Sequence, residues 1–309
     1  MEIIVTRSSE ELERLREPWQ RLYSLGQHTK FQTYVWNVLA AQMFAPRQAL
    51  AVVYADCSDG AAIIPATLTD TSGELRLLGE ELFDYRTVLH HGNPAALHAA
   101  FEVLSTLGSS LKIVALREGA SLLVGEPGPF CGAPALMSMD RELAMHPRLG
   151  RSLRRLLRQG CALNQYSGSA TSVIRSIYER KGQQGGNLFT DRLRIDFMCR
   201  LADQEADSFD IFTLEKSGEI VSGLVTFRDG AWRRFYTTYF DERWAKLSPG
   251  VALLYEVALR SLNAGLHCDF MTGEQPYKMR LATSSVPLFT LRLDQAQMRE
   301  IASPLASAA

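Results

Sequence analysis

FYTTYFDERWAKLSPGVALLYEVALRSLNAGLHCDFMTGEQPYK, residues 235–278, holds three pieces in close succession: an aromatic strand, a Ser-Pro-Gly helix start, and a short strand ending in Gly-Glu-Gln-Pro-Tyr-Lys. Ser248 suits an N-cap and Pro249 the first helical position. Val251, Leu254, Tyr255, Ala258, Leu259 and Leu262 then repeat as one apolar helical face, and Asn263-Ala264-Gly265 ends it. Val251, not Glu or Gln, stands three places after the cap, so no capping box occupies the first donors. The amides of Gly250, Val251 and Ala252 are therefore expected to point out of the helix end, and Gly250 to admit a ligand close to the backbone. Such an end suits a phosphate or pyrophosphate. An ordinary capped surface helix is the plainer alternative.

The flanks bear on that choice. Residues 220–227 and 233–240 are rich in β-branched and aromatic side chains, and Arg228-Asp229-Gly230 between them signals a hairpin. Residues 266–272 read as a further strand in which Leu266, Cys268 and Phe270 alternate with Asp269. The order puts a helix N-terminus at the end of a central strand, where ligands bind in mixed α/β sheets.

Leu247-Ser248-Pro249-Gly250 and residues 268–278 together resemble the GNAT acetyltransferase superfamily. The closer likeness is to its CelD/BcsL-type branch, which is related to the Fem peptidyltransferases. Members of that branch tend to run an Asp-Phe strand into a Gly-(Asp/Glu)-x-x-Tyr-Lys turn. The resemblance implies an α/β (α+β) fold of tandem GNAT-like lobes, each a mixed central sheet flanked by helices, the N-terminal lobe degenerate. It implies acetyl-CoA or another acyl-CoA as co-substrate, held by Leu247, Ser248, Pro249, Gly250, Val251 and Ala252. Tyr277 takes the place of the acid that protonates the leaving thiolate, with Lys278 beside it to lower its pKa, and is equally readable as a packed aromatic whose hydroxyl bonds backbone. Glu274 and Asp269 are the base candidates, Asp269 being equally readable as a structural acceptor. Tyr236 and Tyr239 are candidate substrate contacts, and the strand period puts them on opposite faces. Two features depart from the family pattern: the loop before the helix has one glycine, and Met279-Arg280-Leu281 stands where an aromatic often follows.

Outward from this stretch, 309 residues allow one large or two ordinary domains, and the boundary is expected near 145, giving domains 1–145 and 146–309. A formal net charge of −1 argues against bulk attraction to nucleic acid or membrane. Cys57, Cys131, Cys161, Cys199 and Cys268 are scattered without a CxxC pair, as in a reduced, cytoplasmic protein. No apolar run reaches the length of a membrane span, and the N-terminus lacks a signal-peptide layout. The first half alternates strands and helices in a GNAT-like order but has no Ser-Pro-Gly start. A helix from Pro147 to Gly160 carries Arg151, Arg154, Arg155 and Arg158 with no acid among them. It is either a solvated face or a grip on an anion: CoA phosphates, an acidic polymer, or the acceptor end of a tRNA, with Arg154 and Arg158 the chosen contacts. Residues 181–187 read as a glycine-rich loop that does not fit a P-loop.

Neither a Ser-His-Asp set nor metal-ligand spacing is present. Acyl transfer from a thioester needs neither; it needs an aligned thioester, a base and an acid. Three functions follow. The first is an acyl-CoA-dependent N- or O-acyltransferase acting on a small-molecule or polysaccharide-precursor acceptor. The second is a Fem-like transferase using aminoacyl-tRNA. The third is a non-catalytic GNAT-fold scaffold in an exopolysaccharide or secondary-metabolite system. Oligomeric state is not legible.

Overall fold

The computed structural model describes residues 1–69, 73–79, 82–117, 130–132, 135–137, 147–167, 170–185, 188–273 and 275–302. The chain forms two compact units, Met1–Gly132 with Pro287–Ala309, and Ala133–Val286. The expected boundary at 145 kept everything after it in the second domain. The chain instead sends its last strand back to the first unit, because residues 288–294 find their partner edge there.

The first unit begins with β1 (Glu2–Thr6), α1 (Arg16–Leu25) and α2 (Tyr34–Phe44). It continues through β2 (Gln48–Cys57), β3 (Gly60–Thr69), β4 (Glu74–Leu77), β5 (Leu89–Gly92), α3 (Ala95–Leu107), β6 (Ser110–Arg117) and β7 (Phe130–Gly132). The second holds β8 (Ala135–Met137), α4 (Pro147–Arg158), β9 (Ala162–Ser167), α5 (Thr171–Gln183), α6 (Arg192–Gln204), β10 (Phe209–Lys216), β11 (Glu219–Asp229) and β12 (Trp232–Phe240). A 3-10 turn (Glu242–Leu247) leads into α7 (Pro249–Asn263), followed by β13 (His267–Asp269), α8 (Pro276–Leu281) and β14 (Ser284–Ser285). β15 (Leu288–Asp294) and α9 (Gln295–Ala302) complete the first unit.

The two sheets repeat one topology. The first runs β1-β2-β3-β4-β6-β15-β7, with β5 beside β3; the second runs β9-β10-β11-β12-β13-β8-β14. Each has four antiparallel strands, a single parallel contact (β4 with β6, β12 with β13) bridged by a helix, then antiparallel closure. The tandem GNAT-like architecture is thus visible in strand order, where residue identities did not show it.

Both sheets are covered on both faces, so their strands are apolar on both sides. In β2, Ala51, Val53 and Ala55 join the cluster under α3 and α9, while Leu50, Val52 and Tyr54 join that under α1 and α2. In the second unit, Phe212, Leu214, Leu224, Phe235, Cys268 and Phe270 face α4 and α7. The opposite face meets α5: a Cβ on Gly223 would lie 2.5 Å from Ile177 Cγ1, so only glycine lets that helix sit down on β11.

The lobes differ at the helix that follows the parallel junction. In the first, Asn93 caps α3 itself, its Oδ1 accepting from Ala95 N at 2.9 Å and its carbonyl from Ala96 N at 3.4 Å. Those donors are consumed internally, which is what a degenerate ligand end looks like chemically.

Candidate active site

β12 and β13 are paired only at Trp232–His267, Arg233–Cys268 and Arg234–Asp269. β12 runs on to Phe240 with no strand on that side among the described residues, so the sheet opens after Arg234. At the mouth of the opening the chain turns into α7. Ser248 stands at the N-cap with Pro249 following it as expected, but its backbone is left-handed (φ 49°, ψ 52°) and its side chain makes no cap hydrogen bond. Its carbonyl accepts the Ala252 amide at 3.0 Å, so Ala252 is not a free donor. The amides of Gly250 and Val251 have no acceptor among the described residues, and Pro249 has no N–H to satisfy.

The glycine is also a packing residue. A Cβ on Gly250 would stand 3.3 Å from Phe240 Cδ1 and 3.6 Å from Thr238 Oγ1. Its missing side chain lets α7 pack on the end of β12, and Pro249, Gly250 and Ala252 are buried beneath the helix end.

Ser248 and Val251 line a cleft of about 320 Å³ together with Arg148 and Leu149 of α4, and Tyr277, Arg280 and Leu281 of α8. Tyr277 is thereby brought to the free end of α7. Its hydroxyl makes no hydrogen bond among the described residues, and burial pushes its pKa up to about 12. Lys278 does not act on it. The next residue on the helix points the other way, and Lys278 is buried with Nζ donating to the Thr272 carbonyl at 2.5 Å and the Met271 carbonyl at 3.5 Å. Lys278 is a tie for the turn after β13, and Tyr277 is a neutral hydroxyl donor, not an activated phenolate.

Asp269 is removed from the list of bases. It is 0% exposed, pairs with the Arg234 guanidinium, and accepts the Met271 amide at 2.7 Å through its other oxygen. Arg234, 3% exposed, is also held by Asp229 at 2.9 Å. Glu274 lies outside the described residues.

The two tyrosines of β12 do not alternate. Val225 pairs with Thr237 and Thr226 with Phe235, leaving Tyr236 as the extra residue of a bulge. The bulge resets the period. Tyr236 meets the ring of Phe227 at 5.9 Å, and Tyr239 lies opposite Gly223, so both occupy the α5 face. Neither lines the cleft. On that face, Lys181 donates to the Thr238 carbonyl at 2.9 Å and Gln184 to the Phe240 carbonyl at 2.8 Å. Lys181 belongs to the last turn of α5, not to a loop, and burial holds its ammonium down to about 8.

Leu247 lines a separate groove with Trp244 and Lys246. Arg154 and Arg158 are exposed on α4 and outside the cleft; the arginines at the cleft are Arg148 and Arg280. Arg280 falls three residues after Tyr277, on the same side of a short helix, a spacing legible in the sequence once that turn is known to be helical. Arg148 carries no such signal. Among the described residues no cluster of His, Cys, Asp and Glu is arranged to hold a metal ion, and no helix is long and apolar enough to cross a membrane.

Residues 146–279 match the family model described as acetyltransferase (GNAT) domain. Solved structures share the fold over nearly the whole chain. FemX is similar at 11% identity over 98% of this chain and 100% of that one, with a TM-score of 0.60. The L-PGS structure from Bacillus licheniformis is similar at 10% identity over 93% and 95%, with a TM-score of 0.55. A tandem GNAT protein from the clavulanic acid biosynthesis pathway is similar at 12% identity over 94% and 98%, with a TM-score of 0.52. No curated protein matches the sequence. The chain carries a GNAT acetyltransferase domain in its second unit and is an acyltransferase by class.

Proposed function

We propose that the protein is a cytoplasmic enzyme that moves an acyl group from a phosphate-bearing thioester of the acyl-CoA type to an amine or hydroxyl of a small-molecule or glycan-precursor acceptor. The observation that carries this reading is one cleft that joins Ser248 and Val251 at the start of α7, where the Val251 amide is unpaired among the described residues, to Arg148, Arg280 and Tyr277. The amide and arginines suit a phosphodiester. The thioester would follow the opening between β12 and β13, where unpaired backbone of β12 can hold its carbonyl oxygen.

Attack by the acceptor breaks the acyl C–S bond and forms a C–N or C–O bond. Tyr277, protonated across the neutral range, donates to the leaving sulfur. With Asp269 committed to Arg234, Glu274 remains the proposed base on its sequence position alone. Calorimetric titration with acetyl-CoA tests the reading. Binding that weakens about tenfold or more in Arg148→Ala/Arg280→Ala is expected for paired charge-assisted contacts. Equal affinity in that variant would remove the phosphate assignment.

A second reading, an aminoacyl-tRNA donor, is favoured by the exposed arginines of α4. It predicts tRNA binding that falls steeply with salt.

A further inference from the structure

α4 contains Arg148, Arg151, Arg154, Arg155 and Arg158 and no acid. Leu149, Leu153 and Leu156 turn inward, and each of the five arginines is exposed. From Arg148, which lines the cleft, the row extends about 15 Å along the helix at 1.5 Å per residue. It ends beside the second groove, lined by Gln159, Lys216, Trp244 and Lys246, where Lys216 lies 5.0 Å from the centre of the Trp244 ring. The phosphates of a free cofactor seated at α7 use the cleft end of this row and leave the rest unmatched. In a chain of net charge −1, so local an excess of guanidinium groups indicates an extended anionic partner.

The apolar surface narrows the class of that partner. Among the described residues of the second unit, the exposed large hydrophobic side chains are Leu157, Phe240 and Met279, at 41%, 38% and 49%. Each stands on an element that borders the cleft or its helix end: Leu157 on α4 one turn beyond Arg154, Phe240 against Gly250, Met279 on α8 between Lys278 and Arg280. Arginine mixed with leucine, methionine and phenylalanine is the composition of a protein-binding surface, whereas a nucleic-acid backbone is met by polar and basic groups.

We propose that the acyl donor is presented by an acidic carrier protein, as a thioester on a phosphopantetheine arm. The carrier docks on the exposed α4 arginines and Leu157, and the arm's phosphate enters the cleft at Val251, Arg148 and Arg280. The inference rests on the acyltransferase reading and specifies its donor. The transfer itself is unchanged: the acyl C–S bond breaks, the C–N or C–O bond forms, and the proton lost by the acceptor is balanced by one gained at the arm's thiol.

The test uses the full chain, a bacterial acyl carrier protein bearing an acetylated phosphopantetheine arm, acetyl-CoA and unfractionated tRNA, each titrated calorimetrically at two salt concentrations. Two variants are compared with the parent, Arg151→Glu/Arg155→Glu and Leu157→Ser, both of exposed residues outside the cleft. The expected result is carrier binding that falls about tenfold or more in the charge-reversed variant, less in Leu157→Ser, while acetyl-CoA affinity moves less than about twofold. Carrier binding that is absent, or indifferent to both variants, overturns the inference, as does loss of tRNA binding in its place. Acetyl-CoA binding without carrier binding sinks the carrier alone; failure to bind either thioester sinks the acyltransferase reading with it.

Discussion

Arg234 and Asp269 are the last partners of the parallel ladder between β12 and β13, and their side chains are ion-paired where the two strands part. Asp229 holds the same guanidinium from its other side. Two carboxylates share one arginine in a site almost without exposure, so loss of the arginine leaves both of them buried without their partner. The opening of the sheet is therefore pinned at a defined residue.

That arrangement sets an order of damage. Arg234→Met strands two buried carboxylates and is expected to cost about 3–5 kcal/mol. Asp269→Asn leaves the Arg234–Asp229 pair intact and is expected to cost less. Thermal unfolding of the second unit's transition measures both; equal losses would show that Asp229 does not share the arginine.

At Gly250 the size of the added side chain decides the outcome. Gly250→Ala places a methyl 3.3 Å from a half-exposed Phe240 ring that has room to move, and it keeps the amide. Stability within about 1 kcal/mol of the parent is expected, with donor binding retained. Gly250→Glu drives a longer, charged side chain toward Phe240 and Thr238 and is expected to cost more stability than Gly250→Ala. Thermal unfolding of both variants checks that order.

Tyr277→Phe removes the hydroxyl but keeps the ring that packs against the core beneath α4 and α7. Turnover is expected to fall about 10²–10⁴-fold with little change in KM. Because burial raises the phenol to about 12, no loss of activity from its ionisation is expected below about pH 10 in the parent. Unchanged kcat in the variant would take Tyr277 out of the reaction.

Lys181 supplies a test by pH. Its folded pKa is lowered from 10.5 to about 8, so between those values the unfolded chain holds a proton that the folded protein has released. Stability linked to this group therefore rises as pH climbs from about 8 toward 10.5. Lys181→Met is expected to abolish that rise. Denaturant midpoints across the window, compared between parent and variant, check the sign.

Much of the fold was legible because period and caps are local. The strands read at residues 220–227 and 233–240 fall within β11 and β12, and the apolar face from Val251 to Leu262 lies on α7, which ends at Asn263 as read. The site was legible in part. Tyr277, Ser248 and Val251 do share a cleft, as their motif implied. The rest failed for identifiable reasons. One bulge residue, Tyr236, reversed the expected opposition of two tyrosines. Asp269 alternated as read, but its occupation by Arg234 depends on a residue 35 positions earlier in the chain. The left-handed backbone at Ser248 has no signature in a Ser-Pro-Gly string.

Residue order determined most of the elements, the run of arginines on α4 and a helix start without a capping box, since each depends on neighbours within a turn or two. Tertiary structure alone decided which strands lie side by side, that β15 returns to the first unit, and that Arg148 and Arg280 attend the cleft in place of Arg154 and Arg158. The reason is physical. Propensity and capping act through local backbone geometry, whereas pairing of distant strands and the partnering of buried charges are settled by which arrangement leaves the fewest polar groups unsatisfied, a property of the whole packed unit.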